Sequence, residues 1–307
     1  MVSCSQANRE KPFSTKGLAA AAADGPSGGL LAQLTDFMMS AGANVLHDFR
    51  EMVTEQVAHR ELLFRMAHRD LLLRYKQTVM GVAWAVFMPL VNTAIFSVIF
   101  TRVAPIDTGM PYPVYAFSGL LIWNAFSSSL RFAVVSLTSN SNLVTKLYFP
   151  REIFPLSSVL VTLIDTALAS LVLVALMIYY HIPVSPLIAL LPVVVAALIC
   201  FTCAMALLLS MANLFFRDVK YLFEIAIAVW MFATSVVYPV DLVHGRLGTL
   251  LRLNPMTPLI DAFRAVVVGN VAFNVPAFLA ASAVSVVGLL VAWLLFHRAE
   301  FTFAENI

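Results

Sequence analysis

Charge is scarce in this chain. Asp, Glu, Lys and Arg make up 12% of its 307 residues, apolar residues make up 61%, and the mean hydropathy is +0.88. A soluble domain of this size would lack the charge to cover its surface, so a water-soluble globular fold is excluded. Cysteine is scarcer still: Cys4 lies near the start, and Cys200 and Cys203 lie one helical turn apart inside an apolar run. No further ligand lies near that pair, which therefore reads as small packing residues rather than a metal or redox site. The chain also lacks a G-x-x-x-x-G-K-[ST] phosphate loop, an H-E-x-x-H pair and a G-x-S-x-G elbow. It therefore has no usual nucleotide site of its own, no foothold for zincin or serine-hydrolase chemistry, and no catalytic or metal-ligating constellation. A net charge of +2 gives no sign of a nucleic-acid partner.

What the chain has in abundance is long apolar runs. A bilayer core of ~30 Å needs ~20 helical residues, and six windows qualify: 80–102, 114–136, 156–180, 187–212, 222–240 and 277–296. The expected fold is an all-α polytopic membrane protein. Its orientation follows from the cations. Arg60, Arg65, Arg69, Arg74 and Lys76 stand directly before the first span, where the positive-inside rule places a cytoplasmic segment. Of the 19 Lys and Arg, only Arg102, Arg246, Arg252 and Arg264 then fall outside, with Arg131 inside a span. Both termini, including the tail 299–307, are expected in the cytoplasm.

Residues 1–43 are rich in Ala, Gly and Ser and read as a mobile or weakly helical extension. Leu18–Ala23 is too short an apolar run for a signal peptide. Residues 44–79 read as a cytoplasmic interface region. Phe49, Met52 and Val53 share an arc with Val45, Leu46 and Val57, opposite His47, Asp48, Glu51 and Glu55. That helix either lies in the inner-leaflet interface or packs on a soluble partner. Between Arg60 and Lys76, two apolar strips flank a basic strip of Arg65, Arg69 and Lys76, as expected of a helix wedged between lipid and protein. HRDL at 68–71 has the look of a kinase catalytic loop, but Arg74 stands where that motif needs Asn. Residues 241–273 hold two apolar runs too brief to cross, interrupted by Gly and Pro, and read as a re-entrant helix pair.

Few charges lie within the apolar windows. Arg131 and Asp165 fall at comparable depth on consecutive antiparallel spans, so they either pair with each other or separately snorkel and hydrogen-bond. The cytoplasmic loop 141–155 is bracketed by Pro150 and Pro155. Its Lys146, Leu147, Tyr148, Phe149, Arg151 and Glu152 suit either a docking surface for a soluble protein or an interfacial anchor. Tyr115, Trp123, Phe126 and Trp230 could stack on sugar rings along a path, or serve as ordinary core or lipid-facing aromatics.

Five stretches in order carry a resemblance: RDLLLRYKQTVMGVAWAVFMPL (69–90), SGLLIWNAFSSSL (118–130), NLVTKLYFPREIFPLSSVL (142–160), NLFFRDVKYL (213–222) and LNPMTPLIDAFR (253–264). With the C-terminal EFTFAENI, they make residues 58–307 resemble the membrane subunit of an ABC exporter of the type-2 transmembrane class. The nearest likeness is to permeases that export O-antigen, capsular polysaccharide or teichoic acid. The resemblance implies a permease without its own ATPase, working as two copies with two separate ATPase subunits that carry the ATP and Mg. No cofactor is expected on this chain. The resemblance further implies that Lys146–Glu152, with Pro150 among them, contact the ATPase, and that Asn254, Pro255 and Arg264 belong to short re-entrant helices at the outer mouth. The cargo it implies is a polysaccharide on a polyprenyl diphosphate lipid, carried across the cytoplasmic (inner) membrane. An exporter of a small lipid or drug would share much of this architecture. A polytopic glycosyl- or acyltransferase would need acidic or histidine clusters at a membrane face, and a passive scaffold would not need the docking loop.

Overall fold

The computed structural model describes residues 54–306, apart from 77, 82, 104, 147, 148, 244 and 269–271. Phe49, Met52 and Val53 lie outside the described residues. Nearly all of the rest is helix, and the isolated antiparallel bridge Val184–Val268 is the one piece of β pairing among the described residues.

The first helix, α1 (Arg60–Tyr75), buries Met66 and Ala67 and leaves Phe64, Leu72 and Leu73 exposed. Charged and apolar side chains alternate along this helix, and it is covered on one side only. The chain turns at Gly81, whose φ of +54° is open to glycine, and enters α2 (Ala83–Val98), which continues as a π-turn over Ile99–Val103. Next come α3 (Tyr112–Ser139), the short α4 (Ser141–Lys146) and α5 (Ile153–Tyr179). Ser185 accepts a bond from the Leu187 amide at the start of a 3₁₀ turn, which leads into α6 (Leu191–Phe215). The chain ends with α7 (Val219–Phe232), α8 (Gly245–Leu253), α9 (Met256–Val267) and α10 (Val275–Asn306).

Helix α3 is the hub. It is buried along most of its length between α2, α5 and α6, with Phe117, Phe126 and Leu130 wholly enclosed, and α10 packs along α6. The outer faces carry large apolar side chains such as Phe87, Ile95, Leu171, Ile178, Ile225 and Val287, a surface fit for hydrocarbon rather than water. Many hydroxyls inside the helices return to their own backbone, among them Ser129 to Ala125, Thr202 to Leu198 and Ser285 to Ala281. That satisfies them where no water reaches.

Among the described residues, five helices are long and apolar enough to cross a bilayer: Ala83–Val103, Tyr112–Ser139, Ile153–Tyr179, Pro186–Phe215 and Val275–Glu300. The expected fifth span, 222–240, is not one of them. Its helix stops at Phe232 after 14 residues, about 21 Å at 1.5 Å per residue, which is short of a ~30 Å core. The stretch 241–273, expected as a re-entrant pair, holds the two short helices α8 and α9 with Asn254 and Pro255 at their junction.

Candidate functional site

The broken fifth segment is held by side chains from the short helices that follow it. Arg264 on α9 is 1% exposed. Its Nη1 donates to the Ser235 carbonyl and its Nη2 to the Val236 carbonyl, both at 2.6 Å. These are backbone groups that the ended helix leaves open, so the planar guanidinium replaces the missing turn. Asp261, one turn before Arg264, accepts from Nη1 at 3.0 Å and from the Ser235 hydroxyl at 2.8 Å. The Tyr115 ring lies under the guanidinium, 3.9 Å from its centroid. Asn254 completes the brace: its Nδ2 donates to the Ala233 carbonyl and the Thr234 hydroxyl, while its Oδ1 accepts from Trp230 Nε1 and the Met256 amide. Asn254 and Arg264, expected at an outer gate, thus tie that segment together. Pro255 forms the N-terminal boundary of α9.

The aromatics expected along a path are part of the same core. Trp123 is 3% and Phe126 0% exposed, and both rings, with Phe201, pack edge or face against Trp230. Tyr115 is 5% exposed beneath Arg264. Tyr115, Trp123 and Phe126 are thus enclosed in the core, and Trp230 is half-buried against them.

The expected pair between Arg131 and Asp165 does not form. Asp165 is bound instead by Arg74 and by the Tyr75 hydroxyl, at 2.6 Å, both from α1. Arg74 also stacks over Phe132 at 3.8 Å. Arg131 lines the same cavity as Arg74 and Asp165 but pairs with Glu224 of α7 at 3.1 Å, with both side chains half-exposed. Equal depth on neighbouring helices did not ensure a pair, because α1 supplies the cation that binds Asp165. Burial, and then the Asp165 carboxylate, raise the pKa of the Tyr75 phenol above its ordinary value. Arg69 bridges α1 to the end of α3 through Asn140 at 3.1 Å, while Arg65 is exposed.

The loop 141–155 differs most from the docking surface expected of it. Leu147 and Tyr148 lie outside the described residues, and the backbone of Lys146 closes α4. Phe149 packs on Phe154, with ring centroids 5.5 Å apart, and Pro150 is buried. Arg151 and Glu152 are not outward-facing. The Arg151 amide donates to Glu300 Oε1 at 3.1 Å, and its guanidinium reaches the Glu300 carbonyl and lies 3.8 Å from that carboxylate. Glu152 is 1% exposed and faces His297 Nδ1 at 3.5 Å, with Glu300 Oε2 3.9 Å from the same nitrogen. The donor atoms of Glu152, His297 and Glu300 lie within 4.8 Å of one another, close enough for a divalent cation by spacing alone. Arg151 already supplies counter-charge there. The loop is therefore clamped to the end of α10, by residues 297 and 300 that sequence reasoning passed over. The visible signal was a His and a Glu one turn apart just past the last apolar window.

The model of the ABC-2 type transporter family matches residues 61–268. The chain is 31% identical over 260 residues to the O-antigen export system permease protein RfbA of Myxococcus xanthus, covering 83% of this chain and 99% of that protein. It is 26% identical over 249 residues to the RfbA permease of Klebsiella pneumoniae, covering 80% and 94% respectively.

Proposed function

The chain belongs to the ABC-2 type transporter family, and on that premise we propose that it forms the membrane channel of an ATP-driven exporter of a lipid-linked polysaccharide of the O-antigen kind. The observation that carries this is similarity to export permeases along almost their whole length. As a permease of this family, the chain hydrolyses no ATP; a separate ATPase subunit does. In the proposed assembly two copies enclose the path, two ATPase subunits bind ATP and Mg at the cytoplasmic face, and both termini of each copy lie on that side of the inner membrane. The chain itself needs no cofactor.

Closure of the ATPase pair on ATP would push the loop 141–155. Arg151 and Glu152, gripped by Glu300 and His297, carry that push into α10 and through it into α6, so the helices move as a body. The permease makes and breaks no bond. It offers a hydrated polymer a way around the hydrocarbon barrier. In the proposed assembly the α8–α9 pair, set against the broken fifth segment, shields the outer mouth.

Disrupting the gene tests the reading. Loss of surface polysaccharide with build-up of lipid-linked glycan on the cytoplasmic side is the expected result. Unchanged surface glycan in a cell with no second exporter would point instead to export of a small lipid or drug.

A further inference from the structure

Where α3 and α6 end and α7 begins, the chain encloses a cavity of about 370 Å³ that the export mechanism does not use. Its polar lining consists of Thr138, Ser139, Ser141, Asn213, Arg217 and Lys220, with no carboxylate among the lining residues. Arg217 has no ion pair or hydrogen bond among the described residues, and Lys220 lies over the Tyr221 ring, 4.7 Å from its centroid. Asn213 is 2% exposed. Its Oδ1 accepts the Lys220 amide at 3.3 Å, and its Nδ2 has no acceptor among the described residues. Two cations, this amide donor and the exposed Ser139 hydroxyl, with no acid among the lining residues, make a site for a phosphoryl oxygen cluster.

The surroundings favour a phosphate attached to a lipid. Phe216, Tyr221 and Leu222, beside the two cations, are 72%, 64% and 66% exposed. Aromatic and aliphatic side chains interleaved with Arg and Lys are what the boundary between headgroups and acyl chains selects. We propose that this cavity binds the phosphate of a lipid headgroup in the inner leaflet. The same chemistry would suit an anionic phospholipid or the diphosphate of a prenyl-linked lipid. The proposal takes from the exporter reading only that this end of the helices faces the cytoplasm.

The test uses the full chain alone, in phosphatidylcholine nanodiscs containing a minor fraction of phosphatidylglycerol, with retained lipid counted by native mass spectrometry. Neither glycan nor ATPase enters the measurement, so failure of the exporter reading would leave its outcome unchanged. The wild-type chain should retain phosphatidylglycerol in preference to phosphatidylcholine. Each of Arg217→Ala and Lys220→Ala should weaken retention roughly fivefold, and the pair about twenty-five-fold. Ser139→Glu, which places a carboxylate at an exposed rim position, should abolish it with little effect on packing. The double variant Arg60→Ala/Lys76→Ala, which removes two exposed cations from α1, should retain lipid as the wild type does. Farnesyl diphosphate added as competitor separates the two sources: displacement of phosphatidylglycerol identifies a diphosphate lipid as the preferred occupant, and lack of displacement identifies bulk phospholipid. Equal loss in the α1 control would overturn the proposal, as would unchanged retention in both Arg217→Ala/Lys220→Ala and Ser139→Glu.

Discussion

Gly119 on α3 sits against Arg264 so closely that a Cβ at position 119 would fall 2.2 Å from Nη2 of the guanidinium and 2.3 Å from the Val236 carbonyl oxygen. The central helix must be bare at this point for α9 to brace the broken segment. One of the two obstructing atoms belongs to the backbone, so a side-chain shift cannot relieve the clash. Gly119→Ala should cost about 1–3 kcal/mol by overpacking, read as a lower thermal unfolding midpoint in detergent. An unchanged midpoint would mean that the approach is not as tight as described.

Removing Arg264 itself takes the donor from two buried backbone carbonyls and one of several partners from the half-exposed Asp261. Leaving two buried carbonyls unsatisfied costs on the order of 2–6 kcal/mol. Arg264→Lys should fail nearly as badly as Arg264→Met, because a single ammonium cannot span both carbonyls in the fork geometry. Yields of monodisperse protein across the three forms check this, and full recovery with Lys would refute the bidentate brace.

Asp165 and Glu224 should respond very differently to neutralisation. Asp165 shares a largely enclosed site with Arg74, whereas Arg131 and Glu224 are half-exposed. Breaking the first pair with Asp165→Ala should cost about 3–5 kcal/mol, and Glu224→Gln less than about 1 kcal/mol. A charge swap between positions 131 and 165 should rescue nothing; a rescue would restore the pairing that the structure rejects.

Those partners show where legibility in the sequence ended. Hydropathy located α2, α3, α5, α6 and α10 to within a few residues, because each is long and apolar enough to register as a sum over side chains. The same sum carried the fifth window through Thr234 and Ser235 to Val240, past the end of the helix at Phe232. What holds the chain beyond that helix end is Arg264, 29 residues after Ser235, and no local pattern encodes a remote guanidinium's reach. The Asp261–Arg264 spacing of one turn inside an apolar run was the available hint. Depth along a span was likewise readable for Arg131 and Asp165, but the direction each side chain faces was not. Arg151 and Glu152 stood out in the sequence as charges beside aromatics on a Pro-bracketed loop, but their burial against α10 emerges only once Glu300 is folded back beside them.

Tyr75 has a raised pKa, so its phenol stays protonated in the folded chain at a pH where the unfolded chain would ionise it. Its contribution to stability is therefore fully present below the ordinary tyrosine value near 10 and is lost as pH rises through the higher folded value. Alkaline difference spectra at the tyrosinate band should coincide for wild type and Tyr75→Phe up to that ordinary value and somewhat beyond. A deficit of one tyrosinate in the variant at that pH would contradict the buried hydrogen bond to Asp165.

The most direct test of the account is polysaccharide export measured together with ATP hydrolysis in the assembled transporter carrying Arg151→Ala, Glu300→Ala or both. If the loop drives the helices through its grip on α10, each single change lowers surface polysaccharide sharply while membrane insertion and ATP hydrolysis persist. The double change should then be no worse than the more severe single, because both remove one contact. Wild-type export by the double variant would contradict the clamp as the route of coupling.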